Sequence, residues 1–88
     1  MPTIYTVEVA PQASKQLAAI PKDYQARIAT AISDLRENPR PDGSKKLKGK
    51  QIGLYRIRIG SYRVIYSVND KKLYILVVWI GQRGGAYK

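Results

Sequence analysis

The 88-residue chain has a formal net charge of +10 and 44% hydrophobic residues, enough for one compact domain but not for two independent cores. It contains neither cysteine nor histidine, which excludes disulfides and thiolate metal sites and removes the usual general base at neutral pH, so no metal or cofactor is expected. Met1 to Ala10 alternates polar and apolar residues and lacks the apolar run of a signal peptide or membrane span, so a cytoplasmic protein without membrane contact is expected.

Thr3 to Val9 sets Ile4, Thr6 and Glu8 against Tyr5, Val7 and Val9, a period of two that predicts a half-buried strand ended by Pro11. Gln12 to Ala19 reads as a short helix with Ala13 and Leu17 on one face, and the Ile20-Pro21 step stops it. A second helix is predicted from Pro21 to about Glu37, because Tyr24, Ile28, Ala31, Ile32 and Leu35 recur at three- and four-residue spacing. Arg40 to Lys50 contains Pro41, Asp42, Gly43 and four lysines and is expected to be a loop. Leu54 to Ile59 and Tyr62 to Val68 alternate on either side of Gly60-Ser61, a two-residue hairpin signal. Leu73 to Ile80, apolar throughout, is expected to be a central strand buried on both faces. Trp79 and the tyrosines other than Tyr87 are expected to be core aromatics.

Charge is distributed unevenly along these elements. Five cations and five anions balance through Asp42, whereas the remainder carries eleven cations against Asp70 alone. A polyanionic partner is therefore expected, and the basic run Lys45, Lys46, Lys48 and Lys50 is a candidate grip for it. The hairpin sharpens this expectation. A two-residue turn at Gly60-Ser61 places Ile59 opposite Tyr62, Arg58 opposite Arg63, Ile57 opposite Val64 and Arg56 opposite Ile65. Facing arginines oppose sheet formation, the reverse of the ~0.2–1 kcal/mol gained from favourable cross-strand pairs, so folding alone does not select them. Tyr55, Ile57, Ile59, Tyr62, Val64 and Tyr66 then form the face for the helices, and Arg56, Arg58 and Arg63 share the other.

Lys46-Leu47-Lys48-Gly49, the run Leu54-Tyr55-Arg56-Ile57-Arg58-Ile59-Gly60-Ser61-Tyr62-Arg63-Val64-Ile65-Tyr66, and Gly81-Gln82-Arg83 with Tyr87 resemble the RelE/ParE toxin superfamily over nearly the whole chain. The resemblance implies a single α+β domain over residues 1–88. It would consist of an N-terminal strand, two helices and a three-stranded antiparallel meander, with the helices on one face of a twisted sheet. The superfamily includes ribosome-dependent ribonucleases of RelE type and DNA gyrase inhibitors of ParE type, and the Gly-x-Arg followed by a tyrosine is similar to the RelE branch. That branch implies the toxin of a type II toxin–antitoxin system, an endoribonuclease that cleaves mRNA on the ribosome without a metal. A cognate acidic antitoxin would hold it inactive in a hetero-oligomer. Gyrase inhibition and a noncatalytic basic RNA-binding module are the alternatives.

By the same resemblance, Arg56 and Arg58 fall on two active-site basic positions that are commonly lysine, Arg63 on a phosphate-binding arginine, and Arg83 and Tyr87 on the active-site tail pair. The implied reaction is attack of a ribose 2′-hydroxyl on the adjacent phosphate. Guanidinium forks suit the developing charge because they pair bidentately with phosphate oxygens and stay protonated. Arg58 cannot serve as a base for that same reason. The proton acceptor is open among Lys48, Lys50, the Tyr87 phenol and a ribosomal RNA group, or catalysis rests mainly on orientation and charge stabilisation. Gln82, where many relatives have His or Lys, can hydrogen-bond but not titrate.

Overall fold

A computed structural model describes residues 3–49 and 52–82. In chain order it contains β1 (Thr6–Val9), α1 (Pro11–Ala18), α2 (Lys22–Asp34), β2 (Lys45–Lys46), β3 (Leu54–Ile59), β4 (Tyr62–Asn69) and β5 (Tyr74–Gln82). The five strands form one sheet in the order β1-β5-β4-β3-β2, with β1 parallel to β5 and every other pair antiparallel. The fold is α+β, with the expected N-terminal strand, helix pair and meander.

The helices are amphipathic, and their apolar stripes meet one face of the sheet. Ala13 and Leu17 of α1, and Ile28 and Ile32 of α2 with Leu35 just beyond it, join Ile57, Tyr62, Val64, Tyr66, Ile75, Val77 and Ile80 in the core. Helix α1 lies against β5 and α2 against β3. Pro11, read as a strand breaker, also occupies the first turn of α1, where its missing N–H has no intrahelical role. Helix α2 ends at Asp34, before the expected Glu37. There the bonding tightens, with the Leu35, Arg36 and Glu37 N–H groups donating to the Ile32, Ser33 and Asp34 carbonyls.

Three expectations are corrected. The lysine-rich segment is not wholly a loop, because Lys45 and Lys46 pair with Arg56 and Tyr55 to add a short edge strand. Leu73 does not begin the last strand; it sits in the preceding turn with φ of 51°, exposed. The last strand is not buried on both faces either. Ile75, Val77 and Ile80 are buried, but Leu76, Val78 and Trp79 are only half-buried. The run is apolar throughout partly because it contains a bulge. Consecutive Ile65 and Tyr66 of β4 face Trp79 and Val77 of β5, leaving Val78 as an extra residue.

A polar clasp closes the opposite end of the sheet. Arg40 bridges Asp70 through Nη2 to Oδ2 at 2.8 Å, while the Tyr5 hydroxyl donates to Asp70 Oδ1 at 2.7 Å and Arg40 Nε donates to the Tyr55 hydroxyl at 3.2 Å. Nearby, the fully buried Tyr66 donates its hydroxyl to the Pro39 carbonyl at 2.8 Å. The clasp joins the residue before β1, the segment after α2 and the β4–β5 turn. Hydrogen bonds first from Arg40 and then from Tyr5 hold the Asp70 carboxyl below its ordinary range. Because the folded value lies below the unfolded value of about 3.9, the stabilisation is complete above that value and is lost as pH falls through the folded one. Asp70→Asn should therefore melt at a lower temperature than wild type at pH 7, with the two curves converging below about pH 4. Thermal melts across that range, followed by circular dichroism, test this.

Candidate functional site

The hairpin register places the arginines. Ile59 pairs with Tyr62, Arg58 with Arg63, Ile57 with Val64 and Arg56 with Ile65, as the two-residue turn requires. Gly60 makes that turn possible in two ways. Its φ is +60°, and a Cβ there would lie 2.8 Å from Cε1 of Tyr24, whose ring packs on Tyr62 with centroids 4.9 Å apart. Alternation then directs Tyr62 and Val64 into the core and Arg56, Arg58 and Arg63 to the face away from the helices.

On that face Arg56 lies laterally between Lys45 of β2 and Ile65 of β4. It is the one buried charged residue among those described, only 8% exposed. Arg63 is half-buried and Arg58 exposed. The Nε atoms of Arg56 and Arg63 are both buried and have no hydrogen-bond partner among the described residues. Leaving a buried donor unsatisfied costs ~1–3 kcal/mol, so this arrangement opposes stability. Burial, and then the charges of Arg58 and Arg63, pull the Arg56 guanidinium below its ordinary range, though an arginine remains charged at neutral pH. Asp70, the sole anion of the basic half, is engaged by Arg40 at the far end of the sheet.

Two clefts flank the cluster. One, of about 170 Å³, lies at the hairpin tip between Arg58, Gly60, Ser61, Tyr62 and Arg63. The other, of about 400 Å³, is bounded by Arg58, Ile57 and Ile59 on β3 and by Ala31, Asp34 and Asp42 across from them. The structure thus brings Arg56, Arg58, Arg63 and Lys45 together. Lys46 pairs with Tyr55 and Lys48 is exposed beyond the edge strand, so neither joins the arginine row. Lys50, Arg83 and Tyr87 lie outside the described residues. Gln82 is level with Tyr62 and shares its face, turned from the arginines.

Sequence reasoning missed the neighbour on β5. Trp79, expected in the core, pairs with Ile65 on the arginine face. Its benzo ring covers Gly81, where an added Cβ would lie 2.6 Å from Cη2, and Gly81 is the partner of Arg63. The signal was the glycine two residues after the tryptophan on one strand face. The ring cannot lie there over a side chain. The face can therefore hold a polyanion on fixed guanidinium groups beside an aromatic surface, and no group of three or more metal-ligating side chains occurs among the described residues.

Residues 7–87 match the family described as the ParE toxin of type II toxin-antitoxin system, parDE. The chain belongs to this family, within the RelE/ParE superfamily, and is a toxin of the type II toxin–antitoxin class. Among named relatives, a Methanocaldococcus jannaschii protein named as toxin RelE1 is 34% identical over 87 residues, covering 96% of each chain. A chain of an archaeal RelE–RelB complex from Pyrococcus horikoshii is 37% identical with a TM-score of 0.81, covering 94% of this chain and 99% of that one. A chain of the RelBE2 toxin–antitoxin complex from Mycobacterium tuberculosis superposes with a TM-score of 0.82 at 26% identity, covering 92% and 93%.

The buried, unpaired guanidinium group gives a direct test. Arg56→Met, which keeps the aliphatic bulk and removes the charge, should unfold at higher urea concentration, a gain of ~1–3 kcal/mol. The same variant should bind a short oligoribonucleotide more weakly and with a shallower salt dependence. Urea unfolding in phosphate-free buffer and a salt titration of binding measure the two effects.

Proposed function

We propose that this toxin is a ribosome-dependent, metal-independent endoribonuclease whose arginine face engages messenger RNA. The observation that carries the reading is the pair of buried Nε donors on Arg56 and Arg63, which have no partner among the described residues and oppose folding stability. A phosphodiester supplies the acceptors and the negative charge that this geometry lacks. The relatives named as RelE toxins support RNA as the source of that phosphodiester.

In the proposed reaction the ribose 2′-oxygen attacks the adjacent phosphorus as its proton leaves, and the bond to the 5′-oxygen breaks. The products are a 2′,3′-cyclic phosphate and a 5′-hydroxyl, the latter taking up a proton. Arg56 and Arg63 stabilise the pentacovalent charge, and Arg58 contributes charge from the exposed end of β3 without acting as a base. Arg83 favours the leaving oxygen electrostatically, while Tyr87 stacks on an unpaired base or orients the phosphate. The proton acceptor is Lys48, Lys50, the Tyr87 phenol or a ribosomal group. Lys45, Lys46, Lys48 and Lys50 add nonspecific grip on RNA.

The likeness to chains solved in toxin–antitoxin complexes supports a protein partner. With a net charge of +10 on this chain, an acidic antitoxin that folds over the basic sheet face fits it best. Gyrase inhibition is the second reading, favoured by the family's description as a ParE toxin.

Adding the purified chain to programmed ribosomes and mapping the cut ends and their terminal phosphates tests the proposal. Cuts ending in 2′,3′-cyclic phosphate are expected. Intact transcripts with a DNA-damage response would replace it by gyrase inhibition, and RNA binding without turnover would replace it by a noncatalytic module. Arg63→Ala and Arg83→Ala should each lose about a hundred- to a thousandfold in cleavage rate, the ~2.7–4 kcal/mol typical of a lost transition-state donor, with little change in melting temperature. Tyr87→Ala should keep antitoxin binding and lose most cleavage, while Tyr87→Phe separates stacking from the role of the hydroxyl. Wild-type cleavage by the folded Arg63→Ala variant would place the site elsewhere.

A further inference from the structure

The arginine face is not uniformly polar. Across it run two adjacent rows: Lys45, Arg56, Ile65 and Trp79 in one, and Arg58, Arg63 and Gly81 in the next. Trp79 belongs to the first row by its backbone, but its benzo ring reaches into the second, covering the place where residue 81 would carry a side chain. Neighbouring strands lie ~4.8 Å apart, so the indole stands one strand's width from the Arg63 backbone. Trp79 as a residue is half-buried and thus retains solvent-facing surface.

Resting on the ribonuclease reading, we infer that Trp79 is a base-stacking residue that, seated on Gly81 beside Arg63, receives a nucleobase adjoining the phosphate held by the arginines. The ligand class is single-stranded RNA, engaged at once through backbone charge and the flat surface of a base. Side-by-side aromatic and cationic groups on an open sheet face are a recurrent solution for unpaired bases, because every base presents a π-face and the phosphate fixes its distance from the protein. Trp79 therefore tunes which base is tolerated next to the cut, whereas the arginines do not distinguish bases.

Trp79 is the chain's only tryptophan, so its emission, excited at the red edge where tyrosine does not absorb, reports on this one position. The wild-type protein is titrated with a trinucleotide made uncleavable by a 2′-deoxy substitution at the scissile position, and with the same sugar–phosphate backbone lacking bases. Phosphorus resonance shifts follow occupancy independently. Saturation by the trinucleotide should quench the emission, whereas saturation by the abasic backbone should leave it nearly unchanged. Trp79→Leu should bind the trinucleotide about five- to a hundredfold more weakly, the loss expected of one stacked base, while binding the abasic backbone as wild type does. On programmed ribosomes it should redistribute cuts among codons. Gly81→Ala, which retains the indole but displaces it, should reproduce the binding loss, and Trp79→Phe should recover part of it. Saturation without any change in emission overturns the inference. So does cleavage by folded Trp79→Leu at wild-type rate and positions, an outcome that leaves the ribonuclease reading standing. Wild-type chain that leaves ribosome-bound message intact defeats the ribonuclease reading instead, and base-dependent quenching would then support stacking on its own.

Discussion

The pairing of Arg58 with Arg63 across a two-residue turn is the constraint on which the site depends. Side chains alternate along a strand, so slipping the β3–β4 register by one residue would exchange the two faces of one strand relative to the other. The arginines would then compete with Ile57, Val64 and Tyr66 for the core. Burial of the tyrosine and aliphatic face beneath the helices makes that slip prohibitive, and Gly60 under the Tyr24 ring fixes the turn that sets the count. The repulsive placement of the cations is thus enforced by apolar packing on the reverse of the same strands.

This division separates the stabilising face from the cationic one within a thin sheet. One face and its helices supply the hydrophobic stabilisation, with the Arg40–Asp70–Tyr5 clasp pinning the far end. The other face holds a buried guanidinium group with an unmatched donor and like charges at close range. Charges held in place before a ligand arrives need not reorganise when it does, which is the electrostatic advantage of a site built at the expense of folding. The second strand edge adds to the same field, since Lys45 is drawn beside Arg56 by backbone pairing.

Much of this was legible in the sequence because it depends on local periodicity. The helical spacing of Ile28, Ile32 and Leu35, the alternation on both sides of Gly60-Ser61 and the charge imbalance after Asp42 identified the elements, the hairpin register and the arginine face. What escaped depends on nonlocal pairing. Lys45 and Lys46 carry no strand signal, and only the neighbouring β3 edge organises them. The burial of Arg56 depends on what flanks it across the sheet. Trp79 was misplaced because an unbroken apolar run conceals the residue at which alternation skips.

That skip governs which way the end of β5 faces. Counting by twos from Ile75 and Val77 without an interruption would send Trp79 and Gly81 toward the helices and Ile80 outward. The additional residue at Val78 reverses the parity. Ile80 returns to the core, with its N–H donating to Gln16 Oε1 of α1 at 2.8 Å, and Trp79 and Gly81 emerge beside the arginines. A single inserted position therefore acts as a phase switch, allowing one continuous strand to pack on α1 along its whole length while presenting its last residues to the opposite side. In a descendant lacking that one residue the strand could keep its hydrophobic composition, yet its final turn of alternation would point the other way. Length at this position, rather than the identity of any side chain, sets which face the last residues of β5 present.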